Sequence, residues 1–382
     1  MILENKIGYS YNDVTIIPSI TSNVISRKTV NPFIVTNKNN NALPIFTAPM
    51  SCVVNEYNYK QFEDNNILTV IPTTVNIDKR IEMFFGGERF ISFSLDEAHN
   101  LIIDNVLKTG FKCGNTYKLC IDCANGHMER LLYICDAIKN FAAEKQFIIE
   151  IMTGNIANPE TYFIYNEHKI DYVRIGIGGG SGCITSSNTG VHFPMATLLN
   201  DIKKNIEAKW SMGHIFVPYT KIIADGGIRN YSDVIKALAL GADYVMIGGL
   251  FTKCFEAAST EYILYKESNN KEKYVGADLT IDKYDTDEHE KRNYINKYKL
   301  FHEVYGMSTK RVQKMRGTKV LKTSEGTQHF MPILYTLKQW SENMESYLRS
   351  AMSYTNCFTL DQFKTEVNLI INSNNAINSV NK

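Results

Sequence analysis

Residues 221–249 read KIIADGGIRNYSDVIKALALGADYVMIGG. The stretch opens on apolar residues, turns on two glycines, continues with a segment of helical period and closes on a second apolar run. Val234, Ile235, Leu238 and Ala242 share one helical face, and Asp233 lies in the first turn, where a carboxylate complements the helix dipole. A strand with little polar alternation is buried on both faces, as in a parallel sheet covered by helices. The stretch is therefore a strand-turn-helix-strand unit.

Working outward, the same kind of run recurs. LPIFTAPM (43–50), ILTVIP (67–72), RFISFS (89–94), KLCIDCANG (118–126), FIIEIMTGN (147–155) and YVRIGIGGGSG (172–182) precede KIIADGG (221–227) and YVMIGG (244–249). Most of the gaps between them are long enough for a crossover helix. Eight units predict a closed (β/α)8 TIM barrel, with an open doubly wound sheet as the competing architecture. Each run ends in Gly, Asp, Pro or another small residue, and in a barrel those ends converge on the face that carries chemistry. One catalytic domain is expected over residues 1–365. Within it, residues 266–298, rich in Lys, Glu, Asp, Asn and Tyr, read as a solvent-exposed excursion. Residues 305–332, with glycines, basic residues and no clean period, read as a flap. The Asn-rich end, 366–382, reads as a frayed tail, and Asn37 to Asn41 as a surface turn.

The 382 residues are 44% hydrophobic, enough for a large core, and the formal net charge is +1 with both signs scattered. That distribution argues against a nucleic-acid partner, which needs a basic patch or stripe. Glu4, Asn5 and Lys6 interrupt the start, and no apolar run is long enough to span a bilayer. Eight widely spaced cysteines fit a reducing compartment, and a cytoplasmic location is expected. Cys120 and Cys123 have no second pair nearby to complete a zinc site, and the alternation in KLCIDCA favours a strand.

The chemistry concentrates in GIGGGSGCITSSNTG (176–190). Successive glycines after a strand let backbone N–H groups converge on an anion. The segment lacks both the Rossmann and the Walker spacing, so it reads as a phosphate cradle with Ser181 adding a hydroxyl, or as a flexible loop. Gly248 and Gly249 close the last strand, where barrels often grip phosphate. Asp225 ends the strand between these turns and either accepts from a ribose diol or caps a turn. Cys183 lies outside any apolar alternation, in a loop rich in backbone N–H dipoles; it serves chemistry as a nucleophile or packing. Thr185 either assists a leaving group or forms a turn.

The stretches YNDVTIIPS, TAPM, IDCANGH, TGNI, GIGGGSGCITSSNTGV, ADGGI, GADYVMIGG, YGMS and SEG occur in the order found in the IMP dehydrogenase and GMP reductase family, which the chain resembles over about residues 8–357. The resemblance implies a barrel, assembled as a homotetramer, that bonds a cysteine to purine C2 and exchanges hydride with a nicotinamide. On that basis Cys183 is the nucleophile, and Ser181, Gly227, Gly248, Gly249, Tyr305, Gly306 and Met307 surround the nucleotide, while Asp225 holds the ribose. Asp122, Asn155 and Gly178 border the nicotinamide. Backbone carbonyls of Gly178, Gly180 and Cys183 match a potassium site.

The chain is most similar to the reductase branch, which implies NADPH-dependent deamination of GMP to IMP. There is no room for CBS modules between the second and third strands. The flap, YGMSTKRVQKMRGTKVLKTSE, has Arg311 and Arg316 but no Arg-Tyr pair of the kind that activates water in the dehydrogenases. Thr185 and Glu325 match the reductase proton relay, with a solvated loop carboxylate as the alternative reading of Glu325. Against the family pattern, Thr73 replaces a lysine, Ser51 an aspartate, Ser186 an arginine, Gly179 a proline and Thr355 a glycine. An IMP dehydrogenase or a nucleotide-binding scaffold without activity are the alternatives.

Overall fold

The computed structural model describes residues 6–36, 41–103, 110–180, 183–211, 220–266, 272–317, 323, 326–373 and 376. All eight runs become strands of one parallel sheet. They are β1 (Ile45–Thr47), β2 (Val70–Ile71), β3 (Phe90–Phe93), β4 (Thr116–Asp122), β5 (Ile148–Ile156), β6 (Tyr172–Ile175), β7 (Lys221–Asp225) and β8 (Tyr244–Ile247). Met246 of β8 lies opposite Phe46 of β1. The last seam closes where Thr47 N donates to Leu68 O and Leu68 N to Ile45 O, both 2.9 Å. A doubly wound sheet has two free edges; this ring has none, so the (β/α)8 barrel is the fold.

Helices fill the crossovers: α1 (Tyr59–Asp64), α2 (Ile77–Phe85), α3 (Leu95–Ala98), α4 (Glu129–Glu144), α5 (Pro159–Glu167), α6 (Met195–Ser211) and α7 (Tyr231–Ala239). Asparagine side chains start three of them. Asn76, Asn158 and Asn230 each accept from an amide of the first turn, satisfying a donor the helix leaves open. Pro159 at the first helical position of α5 has no N–H to satisfy.

Alternate strand residues fill the barrel. Phe46, Phe90, Tyr172 and Tyr244 form an aromatic layer with centroids 5.0–6.3 Å apart. Ala48, Val70, Cys120, Met152, Ile223 and Met246 pack with it as one interior cluster. Two residues beyond Cys120, Tyr172 and Ile223 come Asp122, Arg174 and Asp225, so the period of two delivers three charged side chains to the barrel mouth.

The later chain is more ordered than composition suggests. A four-stranded antiparallel sheet joins β9 (Glu261–Lys266), β10 (Glu272–Gly276), β11 (Leu300–Tyr305) and β12 (Gln328–Pro332). Residues 266–298 thus hold a strand as well as helix α8 (Glu288–Lys297), whose Lys291 and Ile295 are buried. Lys291 meets the buried Glu256 at 3.2 Å, which is why a lysine-rich helix docks here. The flap contains α9 (Lys310–Met315), and α10 (Leu337–Tyr354) returns to the barrel with Trp340, Met344, Leu348 and Met352 buried. The tail is not frayed throughout: Leu369–Ile371 pairs antiparallel with Val14–Ile16, and Asn372 N donates to Asp13 O at 2.8 Å. In the Asn37 to Asn41 turn only Asn41 is a described residue, in a short strand pairing with Val35. No helix among the described residues is long and apolar enough to cross a membrane.

Candidate active site

Strands β6, β7 and β8 are neighbours, so the glycine turns that follow them lie side by side at one end of the barrel. Gly227 N donates to Gly179 O at 2.8 Å, fastening the first turn to the second. A Cβ on Gly176 (φ +125°) would come within 2.3 Å of Asp225 O, and one on Gly226 (φ +105°) within 3.2 Å of Gly179 C. Both positions need glycine, because two backbones touch there and L residues avoid that φ. Gly248 packs against Met50 and Ala48, where a Cβ would meet Met50 Sδ at 2.7 Å.

Cys183 is half-buried beyond the first turn, its N donating to Gly180 O at 3.0 Å. Its thiol lies 3.2 Å from the Thr185 hydroxyl, so this expected pair is in contact. The backbone of Cys183 also bridges Gly326, and Gly326 packs on Gly306 and Ser308. Gly326 therefore links Gly306, which stands between Tyr305 and Met307 in the sequence, to the cysteine loop. Glu325 and Ser181 lie outside the described residues. A cavity of about 410 Å³ opens beside Cys183, lined by Gly178 to Gly180, Ser186, His192, Gly227, Arg229 and the N-terminal residues Ser10 to Asn12. Burial pushes Cys120 up to about 12 and Cys123 up to about 11, which keeps both as thiols.

Arg174 joins the two expected ligand regions. Its Nη1 donates to Asp122 Oδ1 at 2.8 Å, and its Nε and Nη2 reach Asp225 Oδ2 at 3.0 and 2.9 Å. Asn155 Nδ2 donates to the same Asp225 oxygen at 2.8 Å and to Gly176 O at 2.8 Å. Burial works against the guanidinium charge, but Asp225 and Asp122 outweigh it and hold Arg174 ionised above its ordinary range. With Oδ2 of Asp225 taken by three donors, Oδ1 is the oxygen that can meet a ligand hydroxyl. Asp122 Oδ2 faces Arg316 of the flap at 3.5 Å.

The substituted positions can now be located. Thr73 is buried and its hydroxyl has no partner among the described residues. Neither neighbouring cation replaces the missing lysine: Lys79 pairs with Glu82 on the surface, and buried Arg80 holds Glu97, Val75 O and Ser92 O. Ser186 donates to Gly178 O at 3.1 Å, tightening the cysteine loop from within. An arginine and a tyrosine do meet in the flap, since Arg311 stacks 4.5 Å from the Tyr305 ring centroid. Glu303 holds that arginine, and burial raises the Tyr305 pKa, so the pair is not set up as a base. His302, three residues before Tyr305, is fully buried and bonded elsewhere.

Sequence reasoning missed Arg174, Arg229 and His192, and named Arg316 in the flap without its partner Asp122. Arg174 left a signal, because a charged residue inside a run buried on both faces must find partners, and Asp122 and Asp225 end strands on either side.

A family model described as the IMP dehydrogenase / GMP reductase domain matches residues 8–381. GMP reductase from Bacillus cereus is 27% identical, with 97% of each chain aligned. IMP dehydrogenase from Chlorobaculum parvum is 38% identical over 148 residues, 39% of this chain and 27% of its own length. The Helicobacter pylori IMP dehydrogenase (strain J99) is 30% identical over 53% of this chain. The matched part thus covers only 27% and 39% of those two dehydrogenases. The barrel, the glycine turns and the family match agree: the chain belongs to the IMP dehydrogenase / GMP reductase family of nicotinamide-dependent oxidoreductases.

Proposed function

We propose that the chain is a GMP reductase, converting GMP and NADPH to IMP, ammonia and NADP+ through a bond between Cys183 and purine C2. The observation that carries the choice of branch is the flap. A purine held by Cys183 is open to water, and hydrolysis needs a positioned base. Both described flap arginines are engaged, Arg311 by Glu303 and Arg316 at Asp122. Alignment with a GMP reductase over nearly the whole chain supports the same branch.

In this reading the Cys183 thiol loses its proton and adds to C2, and a ring nitrogen of the purine is protonated. Glu325, through the Thr185 hydroxyl beside the cysteine, protonates the 2-amino group, which leaves as ammonia. The residues at the mouth fit a nicotinamide carboxamide: with both Nδ2 hydrogens of Asn155 given to Gly176 O and Asp225 Oδ2, Asn155 Oδ1 and Asp122 Oδ2 are the acceptors beside the glycine loop. NADPH bound there would supply the hydride to C2. Cys183 then departs as thiolate, the purine ring nitrogen gives up the proton it gained at the first step, and Thr185 is placed to pass that proton back to the sulfur. The carbonyls of Gly178, Gly180 and Cys183 are neutral oxygens on one loop, a donor set suited to a monovalent cation such as K+. A homotetramer in the cytoplasm completes the proposal.

IMP dehydrogenase is the second reading, favoured by the higher local identity to those enzymes and by Thr73 in place of the reductase lysine. Mass spectrometry of products from GMP with NADPH and from IMP with NAD+ tests the choice. Faster formation of IMP supports the reductase, and faster formation of XMP overturns it. Binding of GMP without turnover in either direction leaves a scaffold.

A further inference from the structure

We propose that His302 is a positioning residue for the nucleotide phosphate, tying the Gly248–Gly249 turn to the strand that presents Tyr305. The inference rests on the reading of those residues as the phosphate grip. His302 lies in β11 with no exposure to solvent. Its Nδ1 is 2.7 Å from Thr252 O, and because a carbonyl only accepts, Nδ1 carries a proton and donates it. The Thr252 hydroxyl in turn donates to Gly249 O at 2.7 Å, and Phe251 N donates to Gly248 O at 3.0 Å. Both carbonyls of the glycine turn are thus drawn back toward the helical turn Phe251–Lys253. In a trans peptide the N–H points away from its carbonyl, so the amides of Gly249 and Leu250 face the opposite way, as anion donors must.

The other side of the ring faces Glu261, which the segment read as an exposed excursion (266–298) reaches through Lys283. Nε2 lies 3.2 Å from Glu261 Oε1, the oxygen that also takes the Lys283 ammonium. Lys283 donates to Ser259 O at 3.2 Å, and the Ser259 hydroxyl donates to Glu303 O, next to His302 on β11. Lys283 and Glu261 are themselves only 10% and 12% exposed. A buried imidazole costs desolvation that a leucine would avoid, and its donated bond runs to the glycine turn while its other face packs on Glu261 beside the strand of Tyr305.

Two substitutions separate positioning from simple packing. His302→Asn places an amide N–H near the position of Nδ1 and keeps the donor to Thr252 O, while His302→Leu removes it. Calorimetric affinities for GMP and for guanosine are measured on the parent and both variants, with melting curves to confirm folding. His302→Leu should weaken GMP about tenfold, one hydrogen bond's worth, and leave guanosine unchanged; His302→Asn should stay within about threefold of the parent for both. Thr252→Val, which deletes only the hydroxyl, should repeat the selective loss and serves if His302→Leu does not fold. Equal losses for the two ligands, or unchanged GMP affinity in Thr252→Val, overturn the proposal. A parent chain that binds guanosine as tightly as GMP overturns the phosphate reading itself and this inference with it.

Discussion

Replacing Arg174 by Met should destabilise the barrel more than any surface substitution and should do so through charge. Arg174 is 8% exposed, and the Asp122 and Asp225 side chains are 14% and 15% exposed. Methionine fills a similar length but leaves both carboxylates without their shared cation. Removing one partner of a buried ion pair costs about 3–5 kcal/mol, chiefly because the survivor is left uncompensated. Two survivors place the expected loss near the top of that range. Arg174→Lys keeps the charge but cannot reproduce the planar fork that meets Asp122 and Asp225 together, so about 2–3 kcal/mol is expected. Adding Asp122→Asn to Arg174→Met removes one uncompensated charge and should recover about 1–2 kcal/mol. Urea titration is the appropriate assay, since urea carries no charge to screen the site. A loss under about 1 kcal/mol for Arg174→Met, or equal losses for Met and Lys, would refute the charge argument.

Further expectations concern chemistry and pH. Cys183→Ala should abolish turnover while calorimetry still detects nucleotide binding, and residual turnover near the parent rate would remove Cys183 from the mechanism. Glu325→Gln should slow ammonia release in single-turnover experiments while leaving GMP affinity within about threefold of the parent. Unchanged release would remove Glu325 from its acid role without touching the choice of branch. For Glu97, burial works against ionisation, but hydrogen bonds from Arg80 and Ser94 hold the carboxyl below its ordinary value of 4.5. A depressed folded value means stability that is fully present above pH 4.5 and lost as the pH falls from there through the lower folded value. Glu97→Gln should therefore flatten the acid side of the stability profile, and an unaltered profile would count against the pair.

The barrel was legible because eight apolar runs without alternation admit few arrangements, and each run did become a strand. The glycine turns were legible for a similar reason: GIGGGSG and ADGG demand backbone geometry that other residues strain to adopt. Less visible was whatever depends on pairing across the chain. Arg174 looked like one more residue of YVRIGIG until β4 and β7 placed Asp122 and Asp225 on either side of it. Helix α8 hides its docking because one of its two buried residues is Lys291, paired with Glu256 35 positions earlier. The tail strand Leu369–Ile371 takes its partner from the opposite end of the sequence, at Val14–Ile16, so no local pattern announces it. The lining of the cavity by Ser10 to Asn12 and His192 is equally non-local.

The central claim is that hydride moves from reduced cofactor to C2 of a purine held by Cys183. NADPH carrying deuterium at both C4 positions, incubated with GMP and the full chain, tests this directly when the nucleotide product is weighed and located by NMR. The account predicts IMP with one deuterium at C2, together with one ammonia per NADPH consumed. Deuterium-free IMP, or XMP as the main product when IMP and NAD+ are supplied instead, would contradict it.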